Sequence, residues 1–345
     1  MRPRVGALCL LLTGSLLLLL PASVDALARP HRPPGRVTYT AEDRAWGLQL
    51  GRIAKSMVAM KSSCIPDNTV VHSMSNRVNW KLVELQLSGK APSQPCFMDR
   101  FFMITLDKTA FDLCESHPIK VCVPYVRRLR STRTGYMAGD YVEIVFVKIK
   151  SMKAVLEAGV SALFVDADVL LFTVPQLPAE SEYDIIAQME RHDWRCDVSM
   201  RKKGETDLAK RIEKCSPRSP FPGSNINTGL IGMTPSNQSL QLLEETLQCG
   251  MTQQRPAGNQ RCLKKVLRSW SNTSRSLRVL HFPSSYADHI WARDIWKSPN
   301  MALASYHAHL SGTSEGKLNT LLKLKAKVEG GEGAGNQQVL LKPRA

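Results

Sequence analysis

The sequence predicts an α/β protein, a Rossmann-like mixed sheet flanked by helices in a single main domain. Three observations carry this. Short apolar runs bounded by turn residues alternate with segments whose apolar residues recur at helical spacing. One such helical segment stops at Gly159 and leads straight into the apolar run Ser161-Ala-Leu-Phe-Val-Asp-Ala-Asp-Val-Leu-Leu-Phe172. That run carries two carboxylates, Asp166 and Asp168, at the place where a parallel strand of an α/β sheet presents groups to a ligand.

The elements follow in chain order. Met1-Arg-Pro-Arg4 and the apolar run Val5–Leu20 read as an export signal, and Ala26-Leu27-Ala28 offers a small-x-small cleavage site, so residues 1–28 form a signal peptide. The run is short for a spanning helix of about 20 residues and long for a cleaved leader, which leaves a short membrane anchor as the alternative. Both readings place the rest of the chain in the secretory pathway, in the Golgi lumen or secreted. Residues 29–69 read as linker and stem: a proline-rich basic stretch, then a helix over 41–62 with Trp46, Leu50, Ile53, Met57 and Met60 on one face. The main domain is expected over 70–323. Trp80–Leu87 is helical, and Phe101–Leu106 is a strand ended by Asp107. Asp140 and Glu143 start a helix that Ile144, Val147, Met152, Val155 and Leu156 carry to Gly159. Beyond the acidic pair come a strand at Tyr183–Ala187, a basic insertion from Arg191 to Pro222, and a strand around Leu230–Met233. Helices over Ser239–Gln248 and Asn259–Trp270 follow. Residues 324–345 lack apolar periodicity and read as a disordered tail.

A 43% hydrophobic content supports a sizeable core and excludes a disordered chain. The net charge of +16 invites a polyanion. Nucleic acid is set aside, because a luminal address argues against it and no nucleic-acid motif occurs. The clusters Arg127-Arg128-Leu-Arg130 with Arg133, and Arg201-Lys202-Lys203, suit acidic glycans or diphosphates; the plainer reading is solvated charge. Beyond Cys9 there are eight cysteines, an even number in an oxidising compartment, which predicts disulfides of open connectivity. Asn237-Gln-Ser239 and Asn272-Thr-Ser274 are glycosylation acceptors.

Asp166 and Asp168 set the chemistry. Two ionised groups two residues apart repel each other and resist desolvation, and a divalent cation relieves both costs. Further residues fall in a fixed order around them. Asn76 and Asn79-Trp80 come first, then Leu106-Asp107, then Lys148 eleven residues before Gly159. Asp166-Ala-Asp168-Val is closed by Pro175, and Asn227-Thr-Gly229, Gln260 and His307-Ala-His309-Leu-Ser-Gly312 with Lys317 complete the series. In this order the chain resembles the nucleotide-diphospho-sugar transferase family, GT-A fold glycosyltransferases related to extensin arabinosyltransferases and pectin xylosyltransferases.

The resemblance implies transfer of a sugar, with retention, from a nucleotide-sugar donor, UDP-linked, to a hydroxyl on a polysaccharide or protein acceptor, for which the basic clusters suggest an acidic one. It implies Mn2+, or Mg2+ with less nitrogen in the ligand set. Asp168 is the expected direct ligand, and Asp166 a ligand with ribose contact. The third ligand is a histidine, with His309 expected and His307 its rival. Lys148 and Lys317 are expected on phosphate oxygens; Asn227, Gly229 and Gly312 on the donor; and Asn259 and Gln260 at the transferred sugar. Asn259 stands where the family carries Asp. Plainer readings accompany these: a tight turn at Asn227 and Gly229, a surface strand at the histidines, and a first helical turn at Gln260. Trp194, Trp270, Trp291 and Trp296 read as core before acceptor platform. The rival function is a non-catalytic secreted carbohydrate-binding protein on the same fold. The enzymatic reading requires the acidic pair and a histidine far along the chain to share one neighbourhood.

Overall fold

The computed structural model describes residues 37–89, 91–127, 129, 140–189, 194–206, 208–215, 226–253, 257–271, 276–282, 286–288, 304–308 and 313–329. In chain order its first half contains α1 (Ala41–Val58), β1 (Thr69–Ser75), α2 (Trp80–Leu87), α3 (Pro95–Met98), β2 (Phe101–Thr105), α4 (Lys108–Ser116), β3 (Cys122–Pro124) and α5 (Tyr141–Glu157). The second half contains β4 (Ser161–Val165), β5 (Val169–Leu171), β6 (Ile185–Met189), α6 (Trp194–Lys202), α7 (Leu208–Cys215), β7 (Ile226–Met233), α8 (Asn237–Thr252), α9 (Asn259–Trp270), β8 (Val279–His281), β9 (Tyr286–Asp288), β10 (Ser305–His307) and α10 (Ser314–Glu329). The export signal and Asn272-Thr-Ser274 lie outside the described residues. No described helix is long and apolar enough to cross a membrane.

Seven strands form the central sheet in the order β3-β2-β1-β4-β7-β6-β8. The first four are parallel, β7 runs antiparallel to both of its neighbours, and β8 is parallel to β6. A strand covered on both faces reads as an unbroken apolar run, and alternation divides it between two cores. Phe101 and Met103 of β2 join Trp80, Phe97 and Leu163 on one side. Phe102 and Ile104 face the other, with Trp46, Val147 and Val155. The chain advances from β1 to β2 on one side and returns to β4 on the other, so the carboxyl ends of β1 and β4 flank a crevice. A second sheet, β5-β10-β9, starts just beyond the acidic pair.

Helix boundaries fall where local chemistry sets them: α2 and α9 match the expected spans, α8 extends beyond Ser239–Gln248 at both ends, and α4 is a helix the sequence reading did not include. Asp107 caps α4 by accepting from the Ala110 N–H at 2.8 Å. Gly159 takes φ +76° past the end of α5, a conformation that favours glycine. Ser236 caps α8, and α9 spans Asn259–Trp270 as expected. The eight cysteines form the pairs 64–96, 114–122, 196–215 and 249–262. The third pair closes the basic insertion on itself, tying α6 to α7, and the fourth ties α8 to α9.

Two expectations change. The helix read as a stem is α1, and it is integral to the domain. A reciprocal Thr40–Asp43 capping box starts it, Leu50 and Ala54 are fully buried, and the Trp46 indole donates to the Pro124 carbonyl at 3.0 Å. The tail read as disordered from 324 instead begins as helix. α10 runs to Glu329, with Leu321 and Leu324 buried in the same core as Trp80, and residues 330–345 lie outside the described residues.

Candidate functional site

β4 delivers the acidic pair to the crevice and a locked turn holds it there. The Asp166 N–H donates to the Gly229 carbonyl at 2.7 Å, and the Val169 N–H donates back to the Asp166 carbonyl at 2.9 Å. Gln86 of α2 reaches under the turn, its amide donating to the Asp166 and Val169 carbonyls at 2.8 and 3.1 Å. β5 then leaves the turn and pairs with β10 in the register His307↔Val169. This register sets His307 beside Asp168, and the Ala308 N–H donates to the Asp168 carbonyl at 3.1 Å. Asp166, Asp168 and His307 each offer a ligand atom within 4.8 Å of the others.

Two lysines close the group. Lys148, from the middle of α5, contacts the Asp166 carboxylate at 2.7 Å and donates to the Thr228 carbonyl at 2.9 Å. Lys317, in the first turn of α10, contacts Asp168 at 2.5 Å, and His307 Nε2 lies 3.3 Å from the same carboxylate. Burial opposes ionisation of Asp168, but His307 and Lys317 outweigh it and hold the carboxyl well below the ordinary carboxylate range. Burial pushes the Asp166 carboxyl up, a rise that Lys148 opposes and the Asp168 charge adds to. Burial would lower Lys317, yet the two carboxylates raise it. The pair is therefore asymmetric: Asp168 is the firm anion and Asp166, 26% exposed along its side chain, the adjustable one.

The support behind this group explains Asn227, Gly229 and Gln260. The Asn227 side chain accepts from the Gly229 N–H at 2.8 Å, and the Gln260 side chain accepts from the Thr228 N–H at 3.1 Å. Since the Thr228 and Gly229 carbonyls receive Lys148 and Asp166, this two-residue stretch has every backbone polar group committed to holding the site. Gly229 is required for space: a Cβ there would lie 2.2 Å from the His307 ring. Asn259 is buried, donates to the Val145 carbonyl at 2.9 Å and accepts from the Gln260 N–H at 2.7 Å. A carboxylate could not make the first of these bonds, so asparagine suits the junction between α9 and α5.

The structure thus brings together Lys148, Asp166, Asp168, Asn227, Gly229, His307 and Lys317, with Asn259 and Gln260 one layer behind. It is His307, the rival reading, that meets the acidic pair; His309 and Gly312 lie outside the described residues, as do Trp291 and Trp296. Trp270 is core, as expected. Asn79 ties α2 to α10 by accepting from the Ser314 hydroxyl at 2.6 Å. Sequence reasoning missed Gln86, Thr228 and Gln188. Gln188 lies fully buried with Oε1 3.2 Å from His307 Nδ1. An amide inside the apolar run Ile185-Ile-Ala-Gln-Met189 was the available signal, since a buried polar group needs a partner.

The sequence model of the nucleotide-diphospho-sugar transferase family matches residues 96–321. No curated protein matches the sequence. Among solved structures, the WbbM bifunctional glycosyltransferase in its apo form superposes with a TM-score of 0.43 at 10% identity, over 77% of this chain and 51% of that one. Mouse xyloside xylosyltransferase 1, also apo, gives 0.39 at 10% identity, over 71% and 98%. The glycosyltransferase GlyE of Streptococcus pneumoniae TIGR4 gives 0.38 at 8%, over 73% and 60%. The chain therefore spans about half of WbbM and less than two thirds of GlyE. With more than half of its length matched by the family model, and with an Asp-x-Asp turn on the central strand of a mixed sheet, the chain belongs to the nucleotide-diphospho-sugar transferase family.

Proposed function

We propose that the chain transfers a sugar from a UDP-linked donor to a hydroxyl on a glycan or protein, with retention at the anomeric carbon, in the lumen of the secretory pathway and most naturally the Golgi. The four disulfides are consistent with that compartment. The observation that carries the reading is the meeting of Asp166, Asp168 and His307. Two carboxylates and one imidazole suit Mn2+, with Mg2+ the second choice, and Asp168 is held ionised as a ligand must be. Bound there, such an ion would supply Lewis-acid stabilisation to the departing diphosphate.

The remaining roles belong to side chains. Lys317 and Lys148 place two ammonium groups against the carboxylates, within reach of phosphate oxygens entering the crevice. Asn227, Thr228 and Gly229 hold the pair and the imidazole in place, and Asn259 and Gln260 act through Thr228. The acceptor is anionic in this reading. The basic insertion leaves β6 one residue after Gln188 and rejoins β7 one residue before Asn227, so both of its roots sit at the site, and Lys202, Lys203, Lys210 and Lys214 are exposed on it.

The test is Mn2+-dependent hydrolysis or transfer across a panel of UDP-sugars, comparing the native protein with Asp168→Asn. Activity that needs Mn2+ and disappears in the variant is the expected result. Binding of acidic glycans with no Mn2+-dependent affinity for UDP would select the carbohydrate-binding alternative.

A further inference from the structure

His307 is held by more than strand register. β6 and β7 pair regularly from Ile185↔Met233 to Ala187↔Ile231, then jump to Gln188↔Asn227, leaving Thr228, Gly229 and Leu230 outside the β6 ladder. A bulge of this kind re-aims the side chains beside it. Here it turns the buried Gln188 amide toward the imidazole, with Oε1 3.2 Å from Nδ1. It also sets Gly229 against the ring, where a Cβ would stand 2.2 Å from Cε1 and 2.6 Å from Nδ1. The ring is thus seated by Gly229 and oriented by Gln188.

We infer that Gln188 is a positioning residue for metal binding, its oxygen keeping His307 in the Nδ1–H tautomer so that the Nε2 lone pair faces the cation shared with Asp166 and Asp168. An amide oxygen only accepts, so the nitrogen facing it carries the proton. In the neutral ring that leaves Nε2, 3.3 Å from Asp168, as an acceptor beside a carboxylate that also only accepts. Two acceptors so placed need a proton or a metal ion between them, and in the metal reading the divalent ion takes that place. Partners that fix the far nitrogen of a ligating histidine typically matter about 10- to 100-fold in metal affinity. The inference rests on the metal reading given above.

Two measurements on the purified protein test it. The first is Mn2+ binding, followed through the paramagnetic resonance of the free ion. Gln188→Leu should weaken it about 10- to 100-fold, while Gln188→Glu, which restores an acceptor, should bind at least as tightly as the native protein. The second needs no metal: nitrogen chemical shifts of histidine-labelled protein, with His307 assigned by its loss in His307→Gln. They should show Nδ1 protonated in the native protein, and a population with Nδ1 bare appearing in Gln188→Leu. Native-like Mn2+ binding in the leucine variant, an equal loss in the glutamate variant, or an Nε2–H tautomer in the native protein would each overturn the assignment. A native protein that binds no Mn2+ yet shows the Nδ1–H tautomer would sink the metal reading while leaving Gln188 as the residue that orients the ring. Should the leucine variant fail to fold, the glutamate variant and the native tautomer still decide.

Discussion

Lys148 and Lys150 lie two residues apart on α5 and serve two charge clusters that behave in opposite ways. Lys150 belongs to a closed cluster. It contacts Glu143 at 2.5 Å and Asp43 at 3.2 Å, Arg127 contacts the same two carboxylates at 2.7 and 2.6 Å, and the Tyr125 hydroxyl donates to Asp43 at 2.6 Å. Two cations balance two anions, and none of the four side chains is more than 7% exposed. Burial opposes ionisation of Asp43, but Arg127 and Lys150 outweigh it and keep the carboxylate charged. Lys148 belongs to an open cluster, where Asp166 and Lys317 keep 26% and 23% of their side-chain surface. Similar ion pairs thus do two jobs. Where every charge is enclosed by its partners, the cluster joins α1, α5 and the segment after β3; where the charges line a crevice, they can exchange those partners for a ligand.

Breaking the open cluster should abolish chemistry and spare the fold. Asp168→Asn removes the carboxylate that Lys317 and His307 hold ionised, and losses on the order of 10³-fold in kcat are typical when a group stabilising developing charge is removed. Its melting temperature should stay within a few degrees of native, because Lys317 keeps access to water. A variant that retained native turnover with UDP-sugars and Mn2+ would refute the assignment of Asp168.

Breaking the closed cluster should do the reverse. Arg127→Met leaves Asp43 and Glu143 facing Lys150 alone, and stranding a buried charge costs roughly 3–5 kcal/mol. Urea unfolding should show this loss, while Mn2+ affinity of the folded fraction stays near native. If the variant unfolded at the native midpoint, the cluster would not be the clasp described here.

Gly229→Ala probes the seat of the imidazole in the open cluster. A methyl group must push the His307 ring off the acidic pair, so Mn2+ affinity should fall about 10- to 100-fold, as for other losses of ligand orientation. A calorimetric titration matching the native one would show that the ring has room to spare.

The sequence made some of this legible and hid the rest for physical reasons. Asp166 and Asp168 were visible because charge inside an apolar run is anomalous, and α9 because its amphipathic period starts cleanly after Gly258. The choice between His307 and His309 depends on β10 pairing with β5, a contact between residues far apart in the chain that composition does not encode. The jump in pairing at Gln188 is invisible for the same reason. α1 looked like a stem because an amphipathic helix reads the same whether it covers its own domain or stands apart. Arg127 looked like one member of a solvated run, yet it is buried; Arg128, Arg130 and Arg133 lie outside the described residues.

The smallest expected effect concerns a third ionisable group, His72, which separates the two clusters' logic from mere burial. His72 is fully buried in β1, stacked on Phe102 and edge-on to Phe164, each at 5.0 Å between ring centres. Its Nε2 lies 3.1 Å from the Ser151 hydroxyl, which itself donates to the Lys148 carbonyl, and its Nδ1 has no hydrogen-bond partner among the described residues. With no anion paired to it among the described residues, burial lowers its pKa to about 3, and the nearby Lys148 charge adds to this. The unfolded chain takes up a proton near pH 6.5 that the folded chain refuses until about pH 3, so the stabilisation is complete above 6.5 and is lost as the pH falls through that window. One proton corresponds to about 1.4 kcal/mol per pH unit, or roughly 2 kcal/mol between pH 6.5 and pH 5. His72→Phe should remove this component, leaving a flatter dependence of urea stability on pH over that range, measured in EDTA so that metal binding at His307 does not contribute. Equal slopes in the two proteins would mean that His72 already accepts a proton in the folded state, and that an unpaired histidine here is less costly than the paired clusters imply.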